Sequence, residues 1–248
     1  MTVPELGLKD QNEAQLLENL LVTPEWSPAA QDTIRNAYEL ASHLHATDKH
    51  GGKPYVYHLL RVANRVTGYL GIYDAELVMA ALLHDSVEDH PVDILTATAH
   101  PNQPILVPHD PAELQTAALG QLARVFSSRT AEIVRAVTNP PNLDFSTAGY
   151  QTNLDRYHQK VVRAVATLPE AALLKFCDWN DNAMSLIHQA DMLSPERIAH
   201  GQRKYGPLIP IFEQRFNEAD MQARLSSDAT AYINHQLFMA KERLILAA

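Results

Sequence analysis

A second cysteine is missing. Cys177 is alone among 248 residues, so no internal disulfide can form, and the cytoplasm is the expected compartment. Long apolar runs are missing too, and nothing approaches the length that spans a bilayer. The N-terminus, MTVPELGLKDQNEAQ, has no basic stretch leading into an apolar one, so no signal peptide is expected. Basic charge is scarce: 20 Lys and Arg stand against 29 Asp and Glu, a net charge of −9. An acidic chain is a poor binder of nucleic-acid polymers, whose backbones demand a basic surface. A small phosphorylated ligand is still permitted, because one local pocket and a metal ion can reverse the field. There is also no run of alternating strand pattern, no internal repeat and no low-complexity tail.

What is present is helical periodicity. It predicts helices over roughly 11–21, 28–46, 55–69, 74–88, 112–126, 129–138, 147–167, 169–188, 195–215 and 218–246. Asp74 is placed to cap the fourth, and Ser194-Pro195-Glu196 to open the ninth. Gly206, Pro207 and Pro210 are expected to bend or break that ninth helix. The last pattern, 218–246, offers a face on which a second copy of the chain can pack. Residues 90–111, HPVDILTATAHPNQPILVPHDP, hold five prolines and cannot be helical throughout. The tip of this segment reads as a surface insertion. Its base follows HDSVED directly and reads as part of a site.

HDSVED (84–89) places one imidazole and three carboxylates straight after the apolar run LVMAALL (77–83). Ionisable groups seldom follow a buried run without partners, since a bare buried charge is costly. On a continuous helix His84 and Glu88 share a face, as do Asp85 and Asp89. LLKFCDWNDNAMSLI (173–187) repeats the arrangement, with Asp178 and Asn182 four apart and Asp181 and Ser185 four apart. KPYVYHLLRVA (53–63) offers His58, with Arg61 three residues on. Any one of these is unremarkable: a lone histidine on an apolar helix is more often a hydrogen-bonded core residue. Three helices with inward polar groups can supply two imidazoles and two carboxylates to one divalent cation, a set that suits Mn, Fe or Zn.

With these motifs in this order, the sequence resembles the HD-domain metal-dependent phosphohydrolases. Within them it is similar to the hydrolase domain of the RelA/SpoT homologues and to small alarmone hydrolases. PYVYH (54–58) matches PYxxH, HDSVED matches HDxxED, LARVFSSRTAEIVRAVTN (122–139) matches the stretch ending in "VT", and LLKFCDWNDN (173–182) matches KxADxxxN. The resemblance covers residues 35–215 or so. It implies an all-α fold, a single HD-type domain over 1–248. The core is expected over 28–216, the proline-rich insertion at 90–111 and a helical extension over 217–248. It implies a divalent metal, Mn²⁺, held by His58, His84, Asp85 and Asp178. Glu88 and Asp89 match the pair that activates and orients the attacking water. Lys49, His50, Asn182 and Ser185 match positions near the nucleotide.

The pattern departs from the family in places. The usual Arg-Lys pair before the PY string is Lys49-His50 here, which removes a flat guanidinium and its stacking on guanine. Asp181 stands where a histidine is usual. It reads as a residue orienting a ligand, an extra acid or a surface replacement. Cys177 and Trp179 read as packing residues. The resemblance implies removal of the 3′-diphosphate from a guanosine alarmone such as ppGpp, giving GDP and pyrophosphate. No synthetase domain is expected within this length. Two alternatives stand beside it: hydrolysis of another phosphorylated nucleotide (ppApp, or the 2′-phosphate of NADPH), and a non-catalytic nucleotide sensor.

Overall fold

The computed structural model describes residues 6–100, 104–143, 145, 149–188 and 193–245. Over these residues the chain is all-α, apart from one small hairpin. α1 (Leu6–Lys9) and α2 (Glu13–Leu21) come first. Asn12 caps α2, accepting from the Gln15 amide while Gln15 accepts from the Asn12 amide. α3 (Pro28–Leu44) starts behind Ser27, with proline in its first turn. Strands β1 (Lys49–His50) and β2 (Lys53–Pro54) then pair antiparallel. Their two-residue loop, Gly51-Gly52, has φ of 58° and 83°, the positive values such a loop demands.

α4 (Val56–Asn64) runs on into a π turn over Arg65–Tyr69. α5 (Ala75–Leu83) is capped by Asp74, whose carboxylate accepts from the Glu76 and Leu77 amides. Short helices α6 (Ser86–Asp89) and α7 (Pro91–Ala97) follow. α8 (Pro111–Val125) and α9 (Ser128–Val137) begin behind Asp110 and Ser127. α10 (Tyr150–Thr167) and α11 (Pro169–His188) are separated by Leu168 alone. α12 (Pro195–Tyr205) is capped by Ser194. A 3₁₀ turn over Gly206–Leu208 joins it to α13 (Ile209–Phe216). α14 (Ala219–Gln222), α15 (Ser227–Ala240) and a π turn over Lys241–Ile245 complete the described chain.

Two helices form the centre. In α5 every residue from Leu77 to Leu83 is buried, as an all-round apolar helix requires. It packs on α3, α4 and α9. α11 is buried continuously from Glu170 to Asp181 and packs on α4, α5, α9, α10 and α12. Because α11 is enclosed, its Lys175, Asp178, Asn180 and Asp181 must find partners inside the protein. Phe176 and Trp179 meet Phe212 at 5.6 and 5.4 Å between ring centroids and lock α13 against α11. Trp179 and Cys177 are thus core residues.

Several expectations need correction. The helix predicted over 74–88 is interrupted: α5 stops at Leu83, His84 and Asp85 form a turn, and α6 restarts at Ser86. Adjacent side chains on a regular helix diverge by about 100°. Here His84 Nε2 and Asp85 Oδ2 lie 3.0 Å apart, which the turn permits. The helix predicted over 218–246 is also broken, between α14 and a new cap at Ser226. The hairpin escaped prediction because two residues per strand carry no alternation. The segment 90–111 is helical at its base, as α7, and non-helical over 104–110. Its residues 101–103, and the predicted helix start at 147–148, lie outside the described residues.

Candidate functional site

His58 sits in the first turn of α4, His84 and Asp85 in the α5–α6 turn, and Asp178 in the middle of α11. Nε2 of His58 lies 3.4 Å from Asp178 Oδ1 and 3.7 Å from Asp85 Oδ2. Nε2 of His84 lies 3.0 Å from Asp85 Oδ2 and 3.7 Å from Asp178 Oδ1. The far nitrogen of each ring is already engaged. Nδ1 of His58 is 2.7 Å from Asp181 Oδ2, and Nδ1 of His84 is 2.9 Å from the Ala81 carbonyl. Each Nδ1–H donates outward, which leaves the Nε2 lone pairs turned toward the two acids. Nε2 of His84 is buried and has no hydrogen-bond partner among the described residues. A buried lone pair without a donor is costly unless a cation takes it. The four residues fit a divalent ion of mixed nitrogen and oxygen preference.

Neighbouring side chains hold the two acids. The Tyr55 hydroxyl donates to Asp85 Oδ2 at 2.6 Å. Lys175 Nζ donates to Asp178 Oδ2 at 2.8 Å, and Asn182 Nδ2 donates to Asp178 Oδ1 at 2.7 Å. Burial opposes the charge on Asp178, but Lys175 and the two imidazoles hold its pKa well below the usual carboxylate range. Burial likewise opposes ionisation of Asp85, and the neighbouring His84 ring outweighs it and lowers the pKa. Lys175 is buried yet keeps a raised pKa, because Asp178 compensates its desolvation.

Glu88 and Asp89 sit one turn further on, in α6. The Asn139 backbone amide donates to Glu88 Oε1 at 2.6 Å, and its side-chain amide donates to Oε2 at 2.9 Å. Desolvation, with the Asp85 charge adding to it, pushes the Glu88 carboxyl up to about 7 despite those bonds. The Asp89 side chain is exposed. Surrounding protein and the Asp85 charge push it up to about 6. A carboxylate poised near neutrality is suited to accept a proton.

Beside these residues opens a cavity of about 800 Å³. Lys49, His50, Asn182 and Ser185 all line it. Its cationic lining is Lys9, Lys49, Lys53, Arg61, Arg197 and Arg203, against one acid, Glu196, among the described residues. On a chain of net charge −9, this is a local reversal of sign. Tyr150 and Tyr205 add aromatic faces. His50 stacks on His58 with ring centroids 4.5 Å apart, and burial lowers its pKa to about 4. Asn182 and Ser185 also bond within α11, Asn182 to Asp178 and Ser185 to the Asp181 carbonyl.

Asp181 is not a surface replacement, since none of its side chain is exposed. Its two oxygens accept from Arg61, Arg65 and His58. Burial opposes its charge, but the two guanidiniums hold its pKa well below the usual range. Tyr55, Lys175 and Asn139 lie within the matched motifs, yet the sequence alone assigned them no role. Lys175 carried a signal, three residues before Asp178 on an apolar helix. Asn139 closes the matched stretch 122–139, but nothing local pairs it with Glu88, 51 residues away. Arg156 and Lys160 bond to backbone carbonyls of Pro141 and Arg135.

The chain matches no protein-family model. It is 29% identical over 175 residues to an Aquifex aeolicus protein named guanosine-3′,5′-bis(diphosphate) 3′-pyrophosphohydrolase. That match covers 70% of this chain and 20% of the relative. A Mycobacterium leprae protein named probable GTP pyrophosphokinase is 25% identical over 233 residues, 93% of this chain and 25% of its own length. A mouse guanosine-3′,5′-bis(diphosphate) 3′-pyrophosphohydrolase is 29% identical over 155 residues, 61% of this chain and 67% of the relative. The chain thus spans a fifth to a quarter of the first two relatives and about two thirds of the third.

Proposed function

We propose that the chain is a single HD-type domain that hydrolyses the 3′-diphosphate of a guanosine alarmone such as ppGpp. Water and ppGpp give GDP and pyrophosphate. The observation that carries this reading is the meeting of His58, His84, Asp85 and Asp178, from three separate parts of the chain, beside a cationic cavity. The names of the Aquifex and mouse relatives supply the substrate. The four residues would hold one divalent ion, Mn²⁺ in our reading. Such an ion polarises a phosphoryl oxygen and makes water a better nucleophile.

The protein's own side chains do the rest. Glu88, held by Asn139, takes the proton of the attacking water, and Asp89 orients that water. Lys175 and Asn182 fix the Asp178 carboxylate by one bond to each oxygen, which leaves Oδ1 a lone pair toward the two imidazoles. Lys49 and its neighbouring cations attract the phosphates, while Tyr150 and Tyr205 offer faces to the base. Such faces accept any purine, and His50 is engaged with His58 rather than free to stack on guanine. That observation favours keeping an adenine substrate, ppApp or NADPH, as a second reading.

Product identification tests both. Mn-loaded protein is expected to release pyrophosphate and GDP from ppGpp, faster than it releases pyrophosphate from ppApp or phosphate from NADPH. A reversed order selects the second reading. Glu88→Gln is expected to lower kcat by about 10²–10⁴-fold while still binding Mn²⁺. Wild-type protein that binds these nucleotides and turns over none of them would instead be a sensor.

A further inference from the structure

The geometry of Arg61 asks for a ligand. It lies on α4 one turn beyond His58 and is almost wholly buried. Nε donates to Asp181 Oδ1 at 2.8 Å and Nη2 donates to Asp181 Oδ2 at 2.7 Å, a two-bonded fork. That fork fixes the guanidinium plane. The same carboxylate also accepts from Arg65 Nη1 at 2.8 Å and from His58 Nδ1 at 2.7 Å. With four donors in place, Asp181 has no oxygen free for a metal or a substrate. Nη1 of Arg61 has no hydrogen-bond partner among the described residues, and Arg61 lines the cationic cavity. A guanidinium whose one edge is clamped and whose other edge borders a cavity is pre-organised to bind a planar pair of phosphoryl oxygens.

We propose that Arg61 is a phosphate-binding residue of this cavity, and that Asp181 is the positioning residue that holds it and the His58 ring in place. Arg61 donates through Nη1 to non-bridging oxygens of the substrate's diphosphate. Asp181 thereby links metal binding, through His58, with phosphate binding, through Arg61. The proposal takes the identity of the anion from the hydrolase reading above, but its test does not depend on turnover.

The Mn-loaded full chain is titrated with inorganic pyrophosphate, and ppGpp kinetics are measured in parallel. Arg61→Met is expected to weaken pyrophosphate binding and raise KM by about tenfold or more, as loss of a charge-assisted bond does. Its Mn²⁺ affinity is expected to fall less than that of Asp181→Asn, because Asp181 keeps its contacts with Arg65 and His58. Arg61→Lys keeps the charge without the fork and is expected to fall between wild type and Arg61→Met. Asp181→Asn is expected to raise KM and also to weaken Mn²⁺ binding by about 10-fold or more, because His58 loses its charged acceptor. A further readout uses wild-type protein alone: Arg61 guanidinium NMR resonances should shift on addition of pyrophosphate. Unchanged pyrophosphate affinity in folded Arg61→Met, or unmoved Arg61 resonances at saturation, would reduce Arg61 to an internal ion pair. If wild type fails to cleave ppGpp while Arg61→Met still loses pyrophosphate, the function falls and this inference stands.

Discussion

Asn139 opposes the upward shift of the Glu88 pKa. Its two N–H groups favour the ionised carboxyl, while burial and the Asp85 charge favour the neutral one. The balance puts Glu88 near 7. Asn139→Ala removes one of the bonds that lower this value. The Glu88 pKa must then rise, so the base is lost at a higher pH than before. The acid limb of the kcat/KM profile is therefore expected to move upward while the alkaline limb stays. An acid limb that does not move would assign it to a group other than Glu88. The four converging residues were legible because each sits in a motif with its own spacing. Asn139, and the pairing of Arg61 with Asp181 across 120 positions, were not, because contacts between distant helices leave no mark in local periodicity.

At the scale of elements, the α6–α7 junction is pinned by a hydrogen-bonded chain. Asp48 Oδ2 is 2.6 Å from His90 Nε2 and 2.8 Å from His45 Nδ1, and Asp93 is 3.1 Å from His90 Nδ1. Burial opposes the charge on His90, but bonds to Asp48 and Asp93, with Asp89 close by, raise its pKa above the ordinary 6.5. The partner Asp48 is lowered, chiefly by His90, and His45 is lowered by burial. A raised histidine contributes stability that is full below 6.5 and is lost as pH rises through the folded value. The melting-temperature advantage of wild type over His90→Asn is therefore expected to be largest near pH ~5.5 and to shrink toward alkaline pH. An advantage that grows with pH would contradict the assignment. Element ends were legible wherever the cap is local, as at Asp74 and Ser194. The α5–α6 turn was not, because only the convergence of His84, Asp85 and Tyr55 in space distinguishes it from one more turn of helix.

The whole molecule is acidic, yet the cavity of about 800 Å³ beside the four-residue cluster is lined by lysine and arginine. The net charge was readable from composition; this reversal was not, since the cations come from Lys9 to Arg203 and only the fold gathers them. Attraction of a polyphosphate into such a cavity is screened by salt. Raising ionic strength from ~0.05 to ~0.5 M is expected to raise KM several-fold and to leave kcat little changed. A KM indifferent to salt would mean that the cations do not meet the substrate.

The four-residue centre can be tested without any substrate. Mn²⁺ is titrated calorimetrically into the metal-stripped full chain and into His84→Ala, Asp178→Asn and Glu88→Gln. About one ion per chain is expected for wild type and Glu88→Gln, with binding lost in the other two, because a ligand set missing one of four members binds far more weakly. Undiminished binding in His84→Ala and Asp178→Asn, or none in wild type, would contradict the metal centre on which the hydrolase reading rests.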